Sequence, residues 1–350
     1  FQKEDEAYAL RPEGTASVVR AYIENALDKT QGFAKLFYLG PMFRRERPQK
    51  GRLRQFHHIG CEAIGSLEPD LDVEVIALAV ALLEGCSVQD FSLKLNSLGC
   101  QSDKQRFTSN LRSSLEDKKL QLCPDCQNRL EQNPLRILDC KQENCKRVVD
   151  TLAIKDNILC ADCQAHFTRV RKGLDALHIA YQVVPQLVRG LDYYTGTVFE
   201  LAHPGLGSQD ALGAGGRYNN LVQELGGPAV GAVGFALGVE RLLLVARPQT
   251  ALENLQSLVY VISLGDEAKE FSVVLLSQLR KAAIACDTDY EKKSLKAAMR
   301  KANDVQARFV VIIGDDELQK KVVTVKDMRS STQEEVALSS IVDYLKQKTG

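Results

Sequence analysis

Between Arg44 and Arg54 the chain sets six basic side chains (Arg44, Arg45, Arg47, Lys50, Arg52 and Arg54) against one carboxylate, Glu46. Pro48 and Gly51 stand where a loop would turn, and the flanks Lys35–Phe43 and Leu53–Ile64 alternate or run apolar with aromatic and β-branched residues. This pattern predicts a hairpin with a long basic loop. Period-two geometry then sorts the side chains: Met42, Arg44 and Glu46 share one face of the first strand, and Arg54, Phe56, His58 and Glu62 share one face of the second. Such a sheet presents arginines, an aromatic plate and an acid together. Guanidinium forks pair bidentately with phosphate oxygens, and Phe56 offers a flat surface for a purine, so the constellation suits a nucleoside triphosphate. A carboxylate nearby could bind a metal ion or an amino group. The same residues also fit a basic hairpin that only solvates a sheet edge.

A chain of 350 residues with 45% hydrophobic content can bury sizeable cores, and its length suggests two or three domains. Its 45 basic and 45 acidic residues cancel, so a nucleic-acid partner must be held by local patches. Two such patches stand out, the hairpin loop and the group Lys292, Lys293, Lys296, Arg300 and Lys301. No apolar run approaches the roughly 20 residues needed to span a bilayer, and no signal-peptide pattern opens the chain. A cytoplasmic location is the expectation.

In chain order, Glu13 and Thr15 fall in a tight Pro-Gly turn before an apolar-spaced helix, Ala16–Leu27, which Thr15 could also serve as a plain cap. Asp70–Glu84 reads as a core helix whose first-turn acids complement the macrodipole. Phe91–Leu98 alternates as a strand, with Phe91, Leu93 and Leu95 inward and Lys94 and Asn96 outward. From Ser102 to Ala176 the composition turns polar and cysteine-rich, with helical spacing at Phe107–Leu122 and Val170–Ile179. This segment reads as a mainly helical insertion splitting the sheet and lying over the site. It holds Cys123, Cys126, Cys140, Cys145, Cys160 and Cys163, followed by His166; two CxxC pairs have zinc-ribbon spacing, and reduced, partly buried thiols fit as well.

Val183–Ala202 returns to strand character and carries Arg189-Gly-Leu-Asp-Tyr-Tyr-Thr-Gly-Thr197. Gly190 and Gly196 permit a bulge or close approach, and adjacent Tyr193 and Tyr194 are predicted on opposite faces. Gly213-Ala-Gly-Gly-Arg-Tyr218 lacks the lysine of a phosphate loop, so backbone approach to a ligand is its expected role, with Tyr218 lining the pocket. Gly231–Arg241 runs from strand into helix, placing Arg241 on the first turns and Gly234 and Gly238 at close packing. After a linker at Arg247–Ser257, strands and helices alternate to the end as a separate α/β domain.

The run FRRERPQKGRLRQF, with Arg11-Pro-Glu-Gly-Thr15 before it and Leu187–Thr195 far after it, resembles the histidyl-tRNA synthetases, which are class II aminoacyl-tRNA synthetases. The resemblance extends from about Ala7 to the C-terminus. It implies an α+β fold: a class II antiparallel sheet with flanking helices over residues 1–100 and 177–247, a helical insertion over 101–176, and an anticodon-binding α/β domain over 257–350. Family members carry a further N-terminal helix and strand that build a homodimer, so the chain reads as a fragment.

By match to the family's motifs, Arg44, Glu46, Arg52, Phe56 and Arg241 are assigned to ATP, with Glu46 on the nucleotide or its Mg2+. Arg189 is assigned to the α-phosphate and the substrate carboxylate. The imidazole of L-histidine falls to Glu62 and Tyr194, its α-amino group to Glu13 and Thr15, with Tyr193 and Tyr218 nearby. Arg47 and Gln49 match positions that meet the acceptor end of tRNA(His). One departure stands out: His58 replaces the family's usual Gln, and a protonated His58 would repel the amino group and lower activity at acid pH. Relatives that work without the insertion cysteines make any metal there a structural staple. The rival reading is a catalytically silent paralogue, the regulatory subunit of ATP phosphoribosyltransferase, which usually lacks the last domain and degrades the ATP arginines.

Overall fold

A computed structural model of the chain describes residues 2–3, 6–7, 9–45, 51–152, 159–207, 210–246, 258–291 and 293–349. Two compact units are present, Phe1–Arg171 with Ala180–Pro248, and Lys172–Ile179 with Gln249–Gly350.

The first unit opens with a short antiparallel pair, β1 (Gln2–Lys3) and β2 (Glu6–Ala7), then α1 (Thr15–Glu24) and α2 (Leu27–Thr30). The predicted hairpin strands follow as β3 (Ala34–Phe43) and β4 (Gln55–Ile64), paired antiparallel. Their register pairs Met42 with Phe56, Gly40 with His58 and Leu36 with Glu62. Directly opposed residues point the same way, so the two predicted faces are one face of the sheet. Proline at the first turn, with its φ already helical, starts α3 (Pro69–Gly85), which packs on β4. Its acids do more than meet a dipole: Asp70 and Asp72 are buried and paired with Arg169 at 2.9 Å and Arg217 at 2.7 Å.

In β5 (Ser92–Ser97), Leu93 and Leu95 point inward as expected, but Asn96 is buried too. Its amide donates to the carbonyls of Pro185 and Leu187, each at 3.0 Å, because the second face of the sheet is also covered. The insertion then forms α4 (Gln101–Glu116), α5 (Pro124–Gln132), α6 (Glu143–Asp150) and α7 (Ala161–Ala176), the last beginning well before the predicted Val170. Leu111, Leu115, Leu130, Ile137 and Val149 share one core with Leu187, Val188, Tyr194 and Val198, so this segment buttresses the sheet as well as extending from it. Its cysteines do not gather as one ribbon. Cys123, Cys126, Cys140 and Cys145 converge, while Cys160 and Cys163 converge with Cys100 and Asp103. His166 joins neither group; its ring lies 3.0 Å from Asp72.

The predicted long strand at Val183–Ala202 divides. A two-residue β6 (Gln182–Val183) and β7 (Thr195–Ala202) flank an irregular segment, 184–194, that holds Arg189 and both tyrosines. Free of a pleat, Tyr193 and Tyr194 do not diverge; their ring centres lie 4.9 Å apart, the rings tilted at 41°. Gly196, at φ +54, takes the left-handed conformation that the adjacent bulge requires. Next come β8 (Ala211–Arg217), α8 (Leu221–Glu224), β9 (Ala232–Gly238) and α9 (Val239–Val245). The strand order is β3-β4-β9-β8-β7-β5-β6, antiparallel except for β5 with β6. Register aligns one row across this sheet: Tyr38, Gly60, Ala236, Ala214, Glu200 and Lys94. Small residues in the middle and large ones at the ends leave a trough, which is where the cavity lies.

The second unit contains β10 (Val259–Leu264), α10 (Asp266–Lys281), β11 (Cys286–Thr288), α11 (Leu295–Asp304), β12 (Phe309–Gly314), α12 (Asp315–Lys320), β13 (Val322–Asp327), β14 (Gln333–Ala337) and α13 (Ile341–Thr349). Alternate residues of β10 feed two cores, Val259 and Val261 with the leucines of α10, Tyr260 and Ile262 with Ala298 and Ala302 of α11. Burial on both faces explains its unbroken apolar run. β10, β11 and β12 are parallel, whereas β13 and β14 turn antiparallel. Lys293, Lys296 and Arg300 are exposed; Lys292 lies outside the described residues.

Candidate active site

A cavity of about 470 Å³ opens over the small-residue floor of the first unit. Arg44, Arg52, Phe56 and His58 reach it from the hairpin, Glu13 and Thr15 from the start of α1, Arg189, Tyr193 and Tyr194 from the irregular segment, and Arg241 from α9. Residues nearly 200 positions apart thus share one wall, because β4 pairs with β9 and sets the start of α9 beside the hairpin. Glu46, Arg47 and Gln49 lie outside the described residues.

The arginines are held before any ligand arrives. Arg241 donates through Nε to the Gly51 carbonyl at 2.7 Å and through a terminal nitrogen to the Ala211 carbonyl at 2.5 Å. Arg44 donates through Nε to the Pro12 carbonyl at 2.9 Å and lies over the Phe56 ring, 5.1 Å from its centre. Arg189 pairs with Glu200 at 2.8 Å, yet its own Nε is buried without a hydrogen-bond partner. The Tyr38 hydroxyl and His58 Nδ1 are likewise buried and unpartnered. Buried polar atoms in this state are costly, and three of them belong to residues lining one cavity. Burial, then the Arg44 charge, pushes the His58 imidazole down to about 4 against the opposing pull of Glu240. His58 is therefore neutral at physiological pH, and an acid limb through it lies well below that range.

At the other end, the expected order of contacts is rearranged. Glu13 caps α1, accepting from the backbone N–H of Thr15 at 2.7 Å and of Ala16 at 3.0 Å. Thr15 is not the cap; its hydroxyl donates to Glu62 at 2.7 Å. Tyr218 donates to the second Glu62 oxygen at 2.5 Å. Glu62 and Tyr218 are only 1% exposed and sit one layer behind the cavity wall, so neither lines it as the sequence suggested. Burial pushes the Glu62 carboxyl up to about 8, against the two hydroxyls that favour its charged form. Gly234 is obligatory here, since any Cβ would strike the Glu62 carboxylate.

Sequence reasoning missed several participants. Tyr38 lines the cavity, with its ring laid across Gly14 and Gly60, where no Cβ fits. The spacing Gly14, Tyr38, Gly60 carries no local signal. Glu200 and Asp210, bridged by Lys94 at 3.2 and 3.1 Å, form the acidic wall, and Arg136 and Lys141 reach in from the insertion. Lys104 of α4 grips the carbonyls of Asp192 and Tyr194, which positions the irregular segment.

A family model described as "Histidyl-tRNA synthetase" matches residues 2–242, and one described as "Anticodon binding domain" matches residues 258–348. The chain belongs to the histidyl-tRNA synthetase family. Histidine--tRNA ligase of Natranaerobius thermophilus is 43% identical over 99% of this chain and 83% of its own length. The enzyme of the same name from Desulforamulus reducens is 44% identical over the same shares. A crystal structure of apo S. aureus histidyl-tRNA synthetase superposes with a TM-score of 0.54 at 36% identity, covering 96% of this chain and 83% of that one. No helix among the described residues is long and apolar enough to cross a membrane.

Proposed function

We propose that this synthetase-family chain activates L-histidine with ATP and transfers it to tRNA(His). The observation that carries the reading is the convergence of Arg44, Arg189 and Arg241 on one cavity beside a cluster of tyrosines and acids. The relatives' shared name over most of their length, together with an anticodon-binding match, disfavours the silent regulatory paralogue.

In the first step a histidine carboxylate oxygen bonds to the α-phosphorus of ATP as the bond to pyrophosphate breaks. A carboxylate is already ionised at neutral pH, so no strong base is needed. What lowers the barrier is alignment and preorganised positive charge on the phosphate oxygens. Arg241 and Arg44, anchored on backbone carbonyls, are assigned to the β- and γ-phosphates and to the adenine stack on Phe56, with Arg52 beside them. Arg189, whose Nε lacks a partner, is assigned to the α-phosphate and the histidine carboxylate. Glu200, Asp210 and Glu240 provide hard oxygen donors in the cavity suited to Mg2+, with Glu46 as a further candidate; the ion would neutralise phosphate charge.

Glu13, Thr15, Tyr193 and Tyr194 are assigned to the amino acid, and Tyr38 joins them. Glu62 acts through the Thr15 and Tyr218 hydroxyls it holds, and a histidine ammonium would draw its proton off. Neutral His58 can accept from that ammonium. In the second step the acyl group passes to a terminal hydroxyl of tRNA, with Arg47 and Gln49 at its acceptor end and residues 257–350 on its anticodon. We assign the catalytic region to 1–100 and 177–247, and the insertion to 101–176. A cytoplasmic homodimer completes the proposal; Phe37 and Leu39 on the edge strand β3, 81% and 66% exposed, are available for it.

The deciding experiment is histidine-dependent exchange of labelled pyrophosphate into ATP. Exchange that requires histidine, and falls by about 100-fold or more in Arg189→Ala, is the expected result. Tight histidine binding with no exchange would favour the regulatory reading.

A further inference from the structure

The insertion gathers four of its thiols within its own core. Cys123, Cys126, Cys140 and Cys145 place their sulfurs within 4.8 Å of one another, with Cys123 and Cys140 3.9 Å apart. Four sulfurs each about 2.3 Å from a tetrahedral zinc lie about 3.8 Å from one another. A disulfide would need about 2.05 Å between two of them, and all ten cysteines are free.

The second group repeats the construction. Cys100, Asp103, Cys160 and Cys163 also hold their ligand atoms within 4.8 Å of one another. Each group joins two helix starts. Cys123 and Cys126 open α5 and meet Cys145 in the first turn of α6; Cys100 and Asp103 open α4 and meet Cys160 and Cys163 at the start of α7. Backbone amides already point at the sulfurs, Cys123 N–H at Cys145 at 3.2 Å and Cys100 N–H at Cys163 at 3.1 Å. Such N–H···S bonds and helix dipoles stabilise thiolates, the form that binds metal. Cations stand by: Arg129 lies 3.9 Å from the Cys126 sulfur, and Arg106 pairs with Asp103 at 2.6 Å.

We propose that the chain binds two structural Zn2+ ions, one on Cys123, Cys126, Cys140 and Cys145, and one on Cys100, Asp103, Cys160 and Cys163. Four thiolates in the first set, and three thiolates with one carboxylate in the second, favour zinc over hard cations, and four protein ligands leave no open position for catalysis. The first ion staples α5 and α6, nine and eight residues long, which are too short to be stable alone. The second clasps the start of the insertion to its end. That clasp adjoins Gly99, whose carbonyl accepts from the Gly196 N–H at 2.7 Å, so it braces the strand end next to Tyr193 and Tyr194.

The test is metal analysis of the full chain, purified without chelator or added metal, by inductively coupled plasma mass spectrometry. About two zinc per chain is expected, falling to about one in Cys126→Ser and, separately, in Cys163→Ser. A value near one in the unmutated chain would overturn one of the sites, and near zero, or iron in place of zinc, would overturn the proposal. Should a variant fail to fold, titrating the native chain with a mercurial thiol reagent gives the answer directly. Zinc release in step with modification of the cluster thiols supports both sites; non-reducing mass spectrometry that finds these cysteines in disulfides refutes them.

Discussion

Replacing Glu62 with Gln isolates the cost of one buried charge. Between the ordinary 4.5 and about 8 the folded chain keeps a proton on Glu62 that the unfolded chain has released. The associated stability is fully present below about pH 4.5 and is lost as pH rises towards 8. Gln keeps an acceptor for the Thr15 hydroxyl and sets its amide against the Tyr218 hydroxyl, so the contacts survive while the titration disappears. At about 1.36 kcal/mol per pH unit, the unmutated chain loses roughly 3 kcal/mol between pH 5 and pH 8 that Glu62→Gln does not. The variant's Tm should therefore gain on the parent by on the order of 5–10 °C across that interval and then level off. Thermal unfolding followed by circular dichroism at several pH values measures the gap directly. A gap that stays constant with pH would show that Glu62 is ionised throughout and that its burial does not raise its proton affinity.

Other substitutions probe the remaining physics. His58→Gln is expected to leave the acid limb of pyrophosphate exchange unchanged above about pH 5, because burial and Arg44 already keep His58 neutral there; a shifted limb would show that it titrates in the working range. Gly60→Ala should displace the Tyr38 ring and raise the KM for histidine about tenfold or more with secondary structure intact, and an unchanged KM would remove Tyr38 from the site. Asp72→Ala strands Arg217, which is 1% exposed, and should cost about 3–5 kcal/mol in unfolding. Adding Arg217→Met should recover much of that loss, whereas a cost under about 1 kcal/mol in the single variant would mean the pair is already hydrated.

The hairpin, α3, the Gly231–Arg241 strand-to-helix run and most of the last domain were legible because each declares itself in local period and composition. Arg44, Arg189 and Arg241 were legible as residue types, since a generic strand or loop seldom concentrates guanidinium groups. The irregular segment at 184–194 was not legible, because its β-branched and aromatic residues serve the insertion's core and not a pleat. Tyr38 was missed because what admits it is the absence of side chains at Gly14 and Gly60, on two other elements. Asp103 escaped notice although Cys100-Gln-Ser-Asp103 has the same spacing as the two CxxC pairs.

By itself the chain's order of residues determined which segments become strands and helices and which chemical groups are on hand, for those depend on neighbours a few positions away. Only the tertiary structure decided which groups meet. Sheet register chose the floor of the cavity, and burial chose the protonation of Glu62 and His58. Helix starts sorted six insertion cysteines, with Cys100 and Asp103, into two clusters and sent His166 to Asp72. These outcomes turn on distances between residues far apart in the chain, and no local pattern encodes such distances.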